Sequence, residues 1–355
     1  MTSKQRMAAA LAGHKVDRVP CGFSLHFRDE DHHGKRAVKA HLDFYRESGV
    51  DFLKVMNENR FCVSPPIQDI DDWKRVRPIR GDEPYVRDQL DIVKELADTV
   101  GHEVFLYTTI HGVFASAFHA TGDPDTAFAH ENRVSDHLKR SPETVEVALR
   151  NIAEGLALFA RKCVEAGSDG IYYAALGAEK YRFSPEEFSR SIKPNDLLVL
   201  DAVRDARAGT ILHICKDQLN LELYADYPAD VVNWATHENN LDLAAGKTLF
   251  GRTVLGGFDD RAGVLVEETD ADIDQEVRRL IESFGTRGFI LGADCTLPTD
   301  IEYHRVRRAV EAARPTKYHD GRSARPVTEP GKCAAETVCP SVGNRSYAKK
   351  RRAYA

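Results

Sequence analysis

The chain has 355 residues, 42% hydrophobic and 29% charged, with a formal net charge of −6 at neutral pH. This balance suits a globular protein with a sizeable core and gives no reason to expect nucleic acid as a partner. No apolar run approaches the roughly 18 residues of a membrane span, and the N-terminus lacks the apolar core of a secretion signal. The expectation is therefore a cytoplasmic protein with no membrane partner.

Residues 3–11 read as a short helix with Ser3 as its cap. A first strand follows at Arg18-Val19-Pro20-Cys21-Gly22-Phe23, then a helix over 35–48 with Val38, Leu42 and Tyr45 on one face and Gly49 as its stop. Asp51-Phe52-Leu53-Lys54-Val55-Met56 is short and apolar enough for a buried strand, with Lys54 read as an ion-pair partner inside the fold. Residues 61–85, rich in Pro, Asp, Trp and Arg, read as an inserted excursion. A helix over 87–100 leads to a strand at 104–109. The region 112–141 has no period and reads as an irregular cover. A long helix over 142–166 opens with Ser141, Pro142 and Glu143, a combination suited to a helix start.

From there the alternation is regular. A strand at 170–174 precedes a helix that opens at Ser184-Pro185-Glu186-Glu187 and runs to about 206. Strands at 210–215, 230–234, 253–257 and 288–292 alternate with helices near 219–225, 241–248, 271–284 and 300–313. Eight strand-then-helix units predict an α/β fold closed into a (β/α)8 TIM-type barrel with a short N-terminal helix. An open doubly wound sheet would advertise a Gly-rich phosphate loop after its first strand, and none is present. Residues 1–315 are thus expected to form the barrel. Residues 316–355 are basic, rich in Gly, Ser and Pro, and aperiodic, so they read as a disordered tail. The spacing of Cys333 and Cys339 within that tail fits no common metal site.

Seven cysteines at irregular spacing suggest thiols or ligands rather than disulfides. In Thr210-Ile211-Leu212-His213-Ile214-Cys215 the period of two puts His213 and Cys215 on the same side of a strand. Cys295 follows the apolar run Gly288-Phe289-Ile290-Leu291-Gly292, too far along the chain for a local zinc finger. Barrel closure brings all strand ends to one face, so it can deliver this third ligand. One imidazole and two thiolates with no fixed fourth ligand are the donor set of a catalytic zinc site. Two thiolates carry a formal charge of −2, which Zn2+ balances. Singly, each residue has a plain structural reading as a buried thiol or a hydrogen-bonded histidine; their coincidence on one face points to metal.

With these residues in view, residues 6–315 resemble the uroporphyrinogen decarboxylase superfamily. The landmarks are Lys15-Val16-Asp17-Arg18-Val19-Pro20, the run Gly49-Val50-Asp51-Phe52-Leu53-Lys54, Gly167-Ser168-Asp169-Gly170-Ile171, Phe183-Ser184-Pro185-Glu186 and Gly256-Gly257-Phe258-Asp259. The family fold this implies is an eight-stranded α/β barrel. The family's decarboxylases act without metal on a tetrapyrrole and carry an Arg-Gln-Ala-Gly-Arg segment. In its place stands Cys21-Gly22-Phe23-Ser24-Leu25-His26-Phe27-Arg28, followed by Asp29, Glu30 and Asp31, which would repel an acidic substrate. The corrinoid-dependent methyltransferase branch is similar in its His-x-Cys strand and distant Cys, matched by His213, Cys215 and Cys295. That branch commonly has Gly around these positions, where Lys216, Asp294 and Thr296 stand here.

The resemblance implies zinc-dependent methyl transfer between a thiol and a corrinoid (cobalamin) cofactor carried on a partner protein. One alternative is metal-free decarboxylation of uroporphyrinogen, as in porphyrin biosynthesis, or of a related acid. Another is an inactive barrel with structural zinc. For substrate binding, the strand ends offer Asn57, Glu58, His111, Tyr172, Glu179 and Asp259. Glu179 or Asp294 is placed to complete the zinc shell, and His26 to line the cavity beside Tyr172.

Overall fold

Short apolar runs that alternate with amphipathic segments form buried parallel strands, because each connecting helix must cover a face of the sheet. The computed structural model describes residues 1–122 and 132–314 and contains one such sheet. Its strands are β1 (Phe52–Val55), β2 (Phe105–His111), β3 (Gly170–Ala175), β4 (Thr210–Ile214), β5 (Val231–Trp234), β6 (Thr253–Phe258) and β7 (Phe289–Ala293). They pair in sequence order, every neighbour parallel. Almost every strand residue is buried. This is an α/β architecture consistent with the TIM type.

The expected first strand is not a regular one. Its segment meets β7 and the residues after it through isolated parallel bridges, Cys21 with Leu291 and Leu25 with Leu297. Gly22 N–H donates to the Leu291 carbonyl at 2.8 Å, and Leu291 N–H donates to Pro20 at 2.9 Å. On the other side, Asp51 N–H donates to the Cys21 carbonyl at 2.8 Å, so the segment spans the two edges of the sheet. Two residues account for the irregular pairing. Pro20 has no N–H to give a ladder. At Gly22 the Phe52 ring occupies the place of a side chain, where a Cβ would lie 2.0 Å from a ring carbon.

The core has two parts. Met7, Phe52, Phe105, Tyr107, Tyr172, Ile211, Val231, Leu255 and Ile290 pack together on the inner face of the sheet. A larger cluster fills the space between sheet and helices. The helix Ser3–Leu11 supplies Met7 to the inner cluster, and its cap is Thr2 rather than the expected Ser3.

Several connections differ from expectation. The region 112–141 contains the helices Val113–His119 and Arg133–Arg140, while 123–131 lie outside the described residues. The excursion carries a 3-10 turn, Ile70–Arg75, that buries Trp73, whose indole N–H donates to His137 Nδ1 at 3.0 Å. After β3 the helix is wound through a wide π turn, Phe188–Ile192, and ends at Asp201, short of the expected 206. Pro194 lacks the N–H that a regular turn needs there. The helix expected at 219–225 is only the 3-10 turn Leu221–Tyr224. The tail expected at 316–355, with Cys333 and Cys339, lies outside the described residues. Among those described, no helix is long and apolar enough to cross a membrane.

One carboxylate ties the N-terminal helix, the bridging segment and β1 together. Fully buried Asp51 accepts from Arg6 at 2.7 Å, from Arg18 at 2.7 and 3.0 Å, and from Cys21 N–H at 2.8 Å. Replacing it removes both carboxylate contacts of buried Arg18 and one of the two carboxylate partners of Arg6, which keeps Asp17 at 2.7 Å. Asp51→Ala is expected to lower unfolding free energy by about 3–5 kcal/mol in denaturant titrations; a loss below about 1 kcal/mol would contradict this role.

Candidate metal centre

Parallel strands end on a common face, and three soft donors meet there. His213 is the penultimate residue of β4, Cys215 follows that strand, and Cys295 follows β7. Their ligand atoms all lie within 4.8 Å of one another, with Cys295 Sγ 3.4 Å from His213 Nε2. A tetrahedral zinc ion with its usual bond lengths separates a sulfur and a nitrogen ligand by roughly 3.6 Å, so the residues fit the ion in chemistry and spacing. The sulfurs act as one electrostatic unit. Cys215 is pushed well above the ordinary thiol value by its hydrogen bond to Cys295 and by burial. That same hydrogen bond holds Cys295 well below the ordinary value, against burial.

The imidazole is oriented by Asn233, which sequence reasoning missed. In the sheet register Asn233 of β5 stands beside His213. Its amide nitrogen donates to the carbonyls of Leu255 at 2.9 Å and Ala293 at 3.1 Å. Two carbonyl acceptors leave one workable orientation of the amide, so Asn233 Oδ1 faces the other way as an acceptor. It receives the Tyr172 hydroxyl at 2.9 Å and His213 Nδ1 at 2.6 Å. His213 must therefore carry its proton on Nδ1, which leaves the Nε2 lone pair toward the sulfurs. The sole sequence signal was a polar residue in Val231-Val232-Asn233-Trp234, an otherwise apolar run.

The loop after Cys215 is under strain. Lys216 has φ +93° and Gln218 φ +52°, in the left-handed region that favours glycine. Lys216 thus holds a glycine-type backbone at the position where the resemblance led us to expect glycine. Asn239 staples the turn, donating to the carbonyls of Lys216 at 3.0 Å and Ala235 at 2.9 Å, and accepting from Leu219 N–H at 2.8 Å.

Neither carboxylate expected to complete the metal shell belongs to the ligand group. Glu179 is buried, accepts from Arg182 Nε at 3.0 Å and Gly177 N–H at 2.8 Å, and bridges to Leu219. Asp294 is also buried; it accepts from Thr236 at 2.9 Å and from His237 through N–H at 2.8 Å and Nδ1 at 2.9 Å. That contact raises the pKa of His237.

The expected substrate contacts divide. Asp259 caps its own turn, accepting from the N–H groups of Arg261 and Ala262. Its neighbour Asp260 is the buried one, pushed up to about 7 by burial and by the charge of Cys295. Nothing in the pair Asp259-Asp260 told which would turn inward. Asn57 Oδ1 caps a local turn by accepting Asn59 N–H at 3.1 Å. Glu58 is bonded to His26 Nδ1 at 2.9 Å; burial raises its pKa, but that bond brings it below the ordinary value. His111 meets His119 edge to face at 5.1 Å, and burial lowers its pKa well below the usual value. Tyr172 lines a small cavity together with Cys295, Ser24 and Leu255. Lys54, expected in an ion pair, has none among the described residues; its ammonium lies 3.9 Å from the centre of the Tyr172 ring.

Comparison with known proteins agrees with this picture. The uroporphyrinogen decarboxylase (URO-D) family profile matches residues 48–315, and the chain belongs to this family of enzymes. A methylcobamide:CoM methyltransferase MtbA from Methanosarcina acetivorans is 21% identical over 252 residues, 71% of this chain and 70% of that protein. Its counterpart from Methanosarcina mazei is 21% identical over 256 residues, 72% and 71% of the two chains. In fold, the chain is similar to a solved methyltransferase from Methanosarcina mazei, with a TM-score of 0.69 at 20% identity, covering 88% of this chain and 98% of that one. A B12-independent methionine synthase from Shewanella sp. W3-18-1 aligns with a TM-score of 0.54 at 13% identity, over 83% and 96%.

Two outcomes follow from the geometry. Asn233→Ala frees the His213 ring and its tautomer, so zinc affinity measured by chelator competition is expected to fall about 10–100-fold; unchanged affinity would contradict the assignment. Lys216→Gly removes backbone strain of about 1–3 kcal/mol and adds back less than about 1 kcal/mol of chain entropy. The variant should unfold at higher denaturant, stabilised by about 1 kcal/mol.

Proposed function

We propose that this member of the uroporphyrinogen decarboxylase family is a zinc-dependent methyltransferase. It moves a methyl group between a thiol and a corrinoid carried on a partner protein. The observation that carries this reading is the ligand group itself. One imidazole nitrogen and two sulfurs converge at the strand ends, while Glu179 and Asp294 are engaged elsewhere. An exogenous sulfur therefore has the fourth position to itself. The similarity to two methylcobamide:CoM methyltransferases supports the corrinoid and the thiol as reactants.

His213, Cys215 and Cys295 would hold the metal. Zinc bound there supplies a Lewis-acidic position that keeps a substrate thiol deprotonated at neutral pH. The protein's own groups do the rest. Asn233 and Tyr172 hold the imidazole in its ligating tautomer. Asp294 fixes Thr236 and His237 beside Cys295. Asn239 holds the strained turn that carries Cys215. The reaction is an in-line displacement at carbon, in which a sulfur–carbon bond forms as the methyl group leaves its donor. Its rate gains mainly from positioning.

Purified protein should contain about one zinc per chain. Cys215→Ala and Cys295→Ala should each lose it, and methyl transfer from methylcobalamin to a thiol should drop about 1,000-fold, near 4 kcal/mol. Uroporphyrinogen turnover by zinc-free protein would select decarboxylation instead. Chelation that lowers the melting temperature yet leaves turnover intact would select a structural role for the metal.

A further inference from the structure

Burying an ammonium without an anion is expensive, so a fold that does so leaves half of an ion pair to be completed. Lys54 is such a group. It shares the inner face of β1 with Phe52, because Leu53 and Val55 point to the outer core. It is 7% exposed. Among the described residues no oxygen accepts a hydrogen bond from its ammonium and no carboxylate pairs with it. Its one close partner is the face of the Tyr172 ring, 3.9 Å away. That ring is itself fixed, since its hydroxyl donates to Asn233 and its centroid lies 5.7 Å from that of His213. Burial draws Lys54 down to about 8, whereas the charges of Cys295, Glu58 and Cys215 draw it up. The carboxylate in that group, Glu58, is already bonded to His26.

The charges at the centre show what is missing. A neutral imidazole, two thiolates and a dication sum to zero. A substrate sulfur entering as a thiolate makes the buried centre anionic, and one cation restores neutrality. We infer that Lys54 is the counter-charge for the substrate sulfur, built beneath the donor set so that a thiol binds as its anion. The S–H bond breaks on binding, its electron pair stays on sulfur, and the proton leaves to solvent. This rests on the thiol reading above and adds to it that the site selects an anionic sulfur through a named residue. Lys54 thus sets thiol affinity and leaves metal affinity alone.

The test uses full-length protein loaded with zinc and titrated calorimetrically with 2-mercaptoethanol, whose single acidic group is the thiol. Lys54→Met keeps length and removes charge, Lys54→Arg keeps charge, and Lys54→Gln stands in should the methionine variant not fold. Zinc content should be the same in all. Thiol affinity should fall about 30-fold in the neutral variant and stay within about threefold of wild type in Lys54→Arg. Equal thiol affinity in the neutral variant, loss of zinc from it, or equal weakening by Lys54→Arg would each overturn the assignment while leaving the methyltransferase reading standing. Wild-type protein that takes up no zinc, or takes up zinc but no thiol, would overturn that reading and this inference together.

Discussion

The side-chain amide of Asn233 is the constraint on which the site depends. In the interior of a parallel sheet there is no bulk water to satisfy a misplaced donor, so the two carbonyls of Leu255 and Ala293 dictate which way the amide turns. Everything above it follows in sequence. The amide oxygen takes the Tyr172 hydroxyl and His213 Nδ1, the ring nitrogen that remains points at two sulfurs, and Tyr172 in turn offers its face to Lys54. A single hydrogen-bond orientation thus sets a tautomer, a ring plane and the seat of a buried charge.

Three carboxylates around the donor set are used to build loops or are paired. The Glu179 carboxylate holds Gly177 and Arg182 within the loop after β3, Asp294 fastens the loop after β5 beside Cys295, and Glu58 pairs with His26. Each carboxylate so employed is unavailable as a hard oxygen ligand. The proposed donor set is soft and offers three protein ligands, which would separate it from the closed four-ligand sites that serve structure alone. The positive φ at Lys216 belongs to the same economy of space, because the chain must turn sharply after Cys215 to keep its sulfur aimed inward.

How much of this was legible in the sequence varied by residue. His213 and Cys215 were visible because strand periodicity is strict, and Cys295 because an apolar run ended just before it. The seven regular strands were each marked by such a run, whereas the segment at Pro20 and Gly22 looked equally strand-like and forms only isolated bridges. The helix Val113–His119 escaped notice since it is buried almost all round and so shows no amphipathic period, whereas Arg133–Arg140 is amphipathic and was passed over in spite of its period. Strand-end position alone also suggested Glu179 and Asp259 for substrate, and the structure engages both in holding loops.

What the sequence by itself determined is the class of fold and the donor atoms offered at the strand ends. Apolar runs mark each of the seven strands but do not distinguish them from the segment at Pro20 and Gly22, and the identity of His213, Cys215 and Cys295 sets the softness of the donors proposed for the metal. Only the tertiary structure decided which polar groups are left with work to do. A hydrogen bond or ion pair depends on atoms brought together from distant parts of the chain, as Asn233 is with Ala293 and Glu58 with His26. Lys54 has the same appearance in the sequence whether it is paired or unpaired; only its environment shows a buried ammonium over the Tyr172 ring with no carboxylate partner among the described residues.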